Sequence, residues 1–175
     1  DLAIGIGKAV EAVLEESGVQ VSEIGMASLS TTLATNALVE GQGERVGLVY
    51  IGFREQDLKT HGLSDALGSD PALVLGGGHN HAGSEKAPFD KEALLAWLDT
   101  DLEVSGFAIA AQFATRNPSH EVAAAEIIRE KTGRPVSLSH HLSAKLNGPK
   151  RALTAVLNAR LIGMIARLIN RAEGK

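Results

Sequence analysis

The run Val46-Gly47-Leu48-Val49-Tyr50-Ile51 has no polar residue in it. A strand with one wet face alternates apolar and polar residues, and a strand covered on both faces reads as a continuous apolar run. The run therefore predicts a strand in the interior of a parallel sheet. Parallel neighbours need long crossover connections, usually helices, so helical patterns must flank it. They do. Ile6, Val10, Val13 and Leu14 fall at i, i+4, i+7 and i+8, and Gly18 is placed to close that helix. Asp90 can cap a helix with Leu94, Leu95 and Leu98 on its apolar face.

Other strand-like segments alternate with these. Ile24 to Leu29 reads as a short strand, Ala72 to Leu75 as a brief one and Val104 to Ala111 as a clear one. Thr31 to Glu40 reads as a polar turn running into a helix that Gly41-Gln42-Gly43 breaks, and residues 53–70 as loop with a short helix. Asn117 with Pro118 marks a helix start, Ala124, Ile127 and Ile128 share its buried face, and Gly133 stops it before an exit strand from Pro135 through Val136 to Leu138. Leu153, Leu157, Leu161, Met164, Ile165 and Leu168 then recur at helical spacing, which predicts a long helix from about Pro149 to Arg171. The fold class is α/β, a parallel-rich sheet with crossover helices.

At 175 residues the chain suits a single domain over 1–175 with a real core. A net charge of -4 gives no electrostatic footprint for nucleic acid. No apolar stretch is as long as a membrane span, no signal peptide is visible, and the default expectation is a cytoplasmic protein. With no cysteine there is no thiolate chemistry. The chain opens on Asp1, directly against a helical pattern, as a piece of a longer protein would.

The chemistry-bearing candidates are few. Ser30, Thr31, Thr32, Thr35 and Asn36 crowd into seven positions between two strand-like runs. Hydroxyls and amides there either cap a helix or hydrogen-bond a ligand in the crevice that open α/β sheets form at strand ends. His79 and His81 follow three glycines with Glu85 nearby, a spacing that puts both imidazoles on one side of an extended segment. A metal needs further ligands, so a flexible, solvated loop is the expectation and no metal is assigned. His120 is expected to help cap its own helix, His140-His141 to be surface, and Arg160, Arg167 and Arg171 to form a solvated helix face. Gly5-Ile6-Gly7-Lys8 lacks phosphate-loop spacing and sits in a helical pattern.

The segment Leu29 to Glu40 resembles the threonine-rich signature of the hydantoinase A/oxoprolinase family. The order of Gly76-Gly77-Gly78-His79, Asn117-Pro118-Ser119-His120-Glu121 and Arg151 to Ala159 is similar to that family's N-terminal domain. Many relatives have histidine where this chain has Leu29, so any role of that histidine is absent. The resemblance implies part of an actin-like ATPase (ribonuclease H-like) fold. It also implies a parent enzyme that uses ATP and Mg2+ to open a cyclic amide such as hydantoin or oxoproline through a phosphorylated intermediate. Thr31, Thr32, Thr35 and Asn36 would be substrate- or nucleotide-crevice residues, with no catalytic residue assigned. The family's Asp-x-Gly-Gly-Thr phosphate loop has no match here. The resemblance therefore implies an N-terminal phosphate-loop segment, a downstream domain and a second subunit as partners. The isolated chain would be inactive and hold no cofactor. Two alternatives stand beside this: a related ATP-dependent carboxylase acting on a ketone, and a non-catalytic scaffold.

Overall fold

In the computed structural model, residues 2–26 and 44–172 are described. The chain divides into two compact units, one of Asp1–Gln42 with Met164–Lys175 and one of Gly43–Gly163. In the first, helix α1 (Leu2–Ser17) ends where Gly18 adopts φ 68 and its N–H reaches the Leu14 carbonyl at 3.0 Å. The Gly5-Ile6-Gly7-Lys8 segment is helical, as expected. Val10 and Val13, however, are 53% and 62% exposed, contrary to a buried face. Periodicity marks a face on a helix and does not supply what covers it. A short 3-10 turn, Val21–Glu23, follows, and Ile24 to Met26 are irregular where a strand was expected to begin. The remainder of that expected strand and the Thr31 to Glu40 helix lie outside the described residues.

The second unit carries the sheet. Strands β1 (Val46–Ile51), β2 (Ala72–Leu75), β3 (Gly106–Ala111) and β4 (Val136–Leu138) are all parallel, in the order β2-β1-β3-β4. Between β1 and β2 run a 3-10 turn (Glu55–Lys59) and α2 (Leu63–Leu67). Helix α3 (Lys91–Leu98) connects β2 to β3, and α4 (Ser119–Thr132) connects β3 to β4. A single turn, α5 (Ser139–Leu142), and the long α6 (Gly148–Ala172) complete the chain. Every residue of β1 and β3 is buried, as an uninterrupted apolar run requires.

Alternate residues of the central strands supply two cores. Val49, Ile51, Phe107 and Ile109 pack with Leu94 and Leu98 of α3 and with Ala124 and Ile128 of α4. Val46, Leu48, Tyr50, Ala108 and Ala110 pack with Leu63 and Leu67 of α2 and with Ala152, Ala155, Val156 and Ala159 of α6. Helices thus cover both faces. The Asp90 carboxylate accepts from Ala93 N at 3.0 Å and starts α3. Asn117 Oδ1 accepts from Ser119 N at 3.1 Å, and Gly133 in the left-handed region (φ 65) ends α4.

Arg160 departs from the solvated face expected of it. Its Nη2 lies 2.6 Å from the Asp70 carboxylate and 3.2 Å from the Leu67 carbonyl, while Asp70 also accepts from Val46 N. The guanidinium ties α6 to the entry of β1. Nothing in the helical spacing of Arg160 reveals that Asp70 faces it.

Candidate functional site

Parallel strands end on one edge of their sheet, and the loops leaving that edge form the crevice in which open α/β folds bind ligands. Here the loop after β2 begins Gly76-Gly77-Gly78-His79. Gly78 has φ 85, and Gly52, which leaves β1 with φ 80, could carry no Cβ because one would sit 2.7 Å from the Gly77 carbonyl oxygen. The glycines let two loop backbones touch. His79 N then donates to the Gln112 carbonyl at 3.0 Å, which fixes the loop against the end of β3.

The consequence for the histidines corrects the expected flexible, solvated loop. His79 is only 1% exposed, and its Nε2 lies 3.2 Å from Ser119 Oγ at the start of α4. Its ring sits 4.4 Å from that of His120, and its Nδ1 has no hydrogen-bond partner among the described residues. Burial, with a smaller contribution from the neighbouring His120, pushes the His79 pKa below its ordinary value. His120 does not cap its own helix. Its Nδ1 accepts from Gly78 N at 2.9 Å, which leaves the ring proton on Nε2, 3.2 Å from Glu85 Oε1. The two segments singled out in sequence, Gly76 to His79 and Asn117 to Glu121, therefore meet at this edge.

The third segment joins them through charge. Glu121, wholly buried in the first turn of α4, accepts from Ala111 N at 2.8 Å, Ser139 Oγ at 2.5 Å and His140 Nδ1 at 2.6 Å. Arg151, equally buried in α6, donates through Nη2 to the Ala111 carbonyl at 2.8 Å. Its Nη1 serves the carbonyls of Lys145 and Leu146 at 2.9 and 3.0 Å. One carboxylate and one guanidinium thus grip both polar groups of the last residue of β3. His140 was expected at the surface and is instead held by Glu121, with its side chain 13% exposed. His141 is exposed, as expected.

Two hollows open along this edge. One of about 190 Å³ lies among Phe53, Gln112, Phe113 and Leu146. Phe113 there adopts φ 54, a backbone conformation that a non-glycine residue holds only when its surroundings impose it. The second, of about 560 Å³, lies beside His140, Thr115 and Arg116. Among the described residues no group of three or more His, Asp or Glu side chains is placed to hold a metal ion. Thr31, Thr32, Thr35 and Asn36 lie outside the described residues.

The structure adds Glu121 and Arg151 to the residues that sequence reasoning put forward. Their signal was present as charges inside otherwise apolar helix patterns, within the very segments that carried the family resemblance.

The family model for the hydantoinase/oxoprolinase N-terminal region matches residues 1–132. The chain belongs to the hydantoinase/oxoprolinase family. Among curated relatives, the acetophenone carboxylase gamma subunit of Aromatoleum aromaticum is 31% identical over 194 residues, covering 92% of this chain and 26% of that protein. The caprolactamase subunit alpha of Pseudomonas jessenii is 31% identical over 161 residues, covering 82% of this chain and 23% of that protein. The crystal structure of the ATP-dependent caprolactamase from Pseudomonas jessenii superposes with a TM-score of 0.78 at 26% identity, over 96% of this chain and 28% of that one. A nucleotide-free acetone carboxylase structure superposes with a TM-score of 0.62 at 20% identity over 97% of this chain and 30% of that one, which shows a shared fold. The chain spans about a quarter of the length of the curated family members it matches.

Proposed function

We propose that this chain is part of an ATP-dependent hydrolase that opens a small cyclic amide. The observation that carries this reading is the agreement with the ATP-dependent caprolactamase, at a TM-score of 0.78 over 96% of the chain. Resonance makes an amide carbonyl a poor electrophile. Transfer of the γ-phosphoryl group of ATP to the amide oxygen makes the carbon attackable. Water adds there, the ring C–N bond breaks as the nitrogen takes a proton, and the acyl phosphate left behind is hydrolysed by a second water. Phosphoryl transfer of this kind depends on positioning and electrostatic stabilisation. In this reading ATP and Mg2+ serve the whole protein, and the phosphate loop, the downstream domain and a second subunit complete the machinery. Thr31, Thr32, Thr35 and Asn36 line the substrate or nucleotide crevice.

The test is to supply the whole protein with ATP and, separately, caprolactam, hydantoin and oxoproline, following ADP release and ring-opened product by mass spectrometry. ADP formation coupled to ring opening supports the reading. A second reading, an ATP-dependent carboxylase acting on a ketone, is favoured by the 31% identity to the acetophenone carboxylase gamma subunit over 92% of this chain. ATP turnover only with a ketone and bicarbonate would replace the first reading by the second. For the crevice residues the comparison is of Thr32→Ala and Asn36→Ala in stability and in turnover. A lost helix cap costs about 0.5–2 kcal/mol of stability, and a lost donor in a desolvated site lowers the rate by roughly 10²–10³-fold. Variants that lose stability but keep full specific activity in the folded fraction would make these residues caps.

A further inference from the structure

Asn147-Gly148 is the only asparagine-glycine pair in the chain, and it sits where the long helix α6 begins. Asn147 caps that helix. Its Oδ1 accepts from Lys150 N at 3.0 Å, and its backbone carbonyl accepts from Arg151 N at 3.0 Å. While Oδ1 serves the helix, Nδ2 lies 3.1 Å from His61 Nε2, in the turn before α2, and both residues are exposed. Packing demands the glycine that follows. A Cβ on Gly148 would run into the Phe53 ring, which is stacked on the buried Tyr50 ring with centroids 4.0 Å apart. As the first residue of α6, Gly148 has an N–H with no carbonyl a turn earlier in the helix to bond. This pairing is chemically reactive. A backbone nitrogen attacks the side-chain amide of the asparagine before it, and glycine, having no side chain, lets the two approach closely.

We infer that Asn147 is a self-modification site, converted without an enzyme to aspartate and isoaspartate at a pace set by opening of the α6 cap. Gly148 N bonds to Asn147 Cγ, the Cγ–Nδ2 bond breaks, and Nδ2 leaves as ammonia with the proton that Gly148 N gives up. Water then opens the cyclic imide on either side of its nitrogen. Breaking the new bond leaves aspartate. Breaking the original peptide bond leaves isoaspartate, with an extra methylene in the main chain. The products differ in what they do to α6. Aspartate caps as asparagine does, and its charge suits a helix N-terminus. Isoaspartate turns the carbonyl that accepts from Arg151 N into a free carboxylate. It also lengthens the chain beside the Lys145 and Leu146 carbonyls that Arg151 Nη1 holds. In the folded chain the side-chain amide is held at Lys150 N and Gly148 is buried, so the imide closes only when the cap opens. None of this uses ATP or a substrate, so it stands apart from the hydrolase reading.

The test ages the whole protein in mildly alkaline buffer and follows each asparagine-containing peptide by mass spectrometry, with fragmentation that separates aspartate from isoaspartate. Asn147 should convert ahead of Asn80 and Asn158. Asn80 is the matched control, because its Oδ1 also accepts backbone N–H groups, those of Ala82 and Ser84, but His81 follows it instead of glycine. His61→Ala removes the acceptor of Nδ2 at an exposed position and should speed conversion of Asn147 roughly fivefold while leaving Asn80 unchanged. The ageing of the unaltered protein needs no variant, so the site is tested whether or not His61→Ala folds. Asn147 still intact when Asn80 has converted, or a rate untouched by His61→Ala, would overturn the inference. So would conversion that occurs in urea and never in the folded protein, because the fold would then shut the reaction off.

Discussion

Arg151 serves three carbonyls and the Ser139 hydroxyl with one buried guanidinium, a geometry that its planar fork of donors provides and a lysine ammonium does not. Burial works against its charge and pulls its pKa down, while the Glu121 carboxylate opposes that shift. Arg151→Met should therefore leave the buried Ala111 carbonyl and the carbonyls of Lys145 and Leu146 without this donor, at a cost of about 1–3 kcal/mol. Urea unfolding should show a lower midpoint with an unchanged slope, and an unchanged midpoint would mean that the network contributes nothing. His79 gives a pH dependence of determinate sign. Its pKa in the folded protein lies below the ordinary 6.5, so the unfolded chain binds the proton more readily. The contribution is fully present above about pH 6.5 and is lost as pH falls from there towards the lowered folded value. His120, Ser119 and the Glu85 carboxylate face the same cluster, so the measurement is a difference between the parent chain and His79→Gln. The parent should lose more unfolding free energy between pH 7 and pH 5.5 than the variant. Parallel pH curves would show that His79 is not the titrating group.

Helix and sheet share a buried apolar cluster, to which α6 contributes Ala152, Ala155 and Ala159 and β3 contributes Ala108 and Ala110. Ala155→Leu adds volume where nothing is exposed and should cost about 1–3 kcal/mol by overpacking. Thr154→Leu on the exposed neighbouring position should change stability by no more than about 0.5 kcal/mol. Thermal unfolding of the two variants checks the pair, and equal shifts would mean that α6 does not rest on the sheet through this face. Much of this level was legible in the sequence. The apolar run at β1, the Asp90 cap, the Asn117 to Gly133 helix and the long C-terminal stripe each carry local chemistry that fixes an element wherever it sits. The loop after β2 was not legible, because three glycines signal conformational freedom whether the chain uses it to move or to pack closely. Here Gly78 and Gly52 use it to bring backbones together, and His79 is buried as a result. The Glu121–His140 pair was hidden for a related reason: its partners are 19 residues apart and meet only when β4 pairs with β3.

For the whole molecule, the decisive quantity is how little of its relatives this chain spans, 26% and 23% of the two curated proteins. The family was readable because its signature segments recur in order. Within the chain, Glu121 and Arg151 hold the end of β3 by both polar groups of Ala111. Phosphoryl transfer needs amides, cations and carboxylates brought round the γ-phosphate at once. On the proposed reading, in which a phosphate loop and a downstream domain complete the machinery, the 175-residue chain alone should release no ADP from ATP and open no hydantoin, oxoproline or caprolactam ring, whereas the whole protein should show ATP-driven turnover. A coupled ADP assay on both, at equal molar concentration and with each candidate amide, measures this directly. Adding the N-terminal phosphate-loop segment and the downstream domain together should be necessary for turnover, and either alone should be insufficient. ADP release by the isolated chain, coupled to ring opening of any of these amides, would refute the prediction and place a working nucleotide site within these 175 residues.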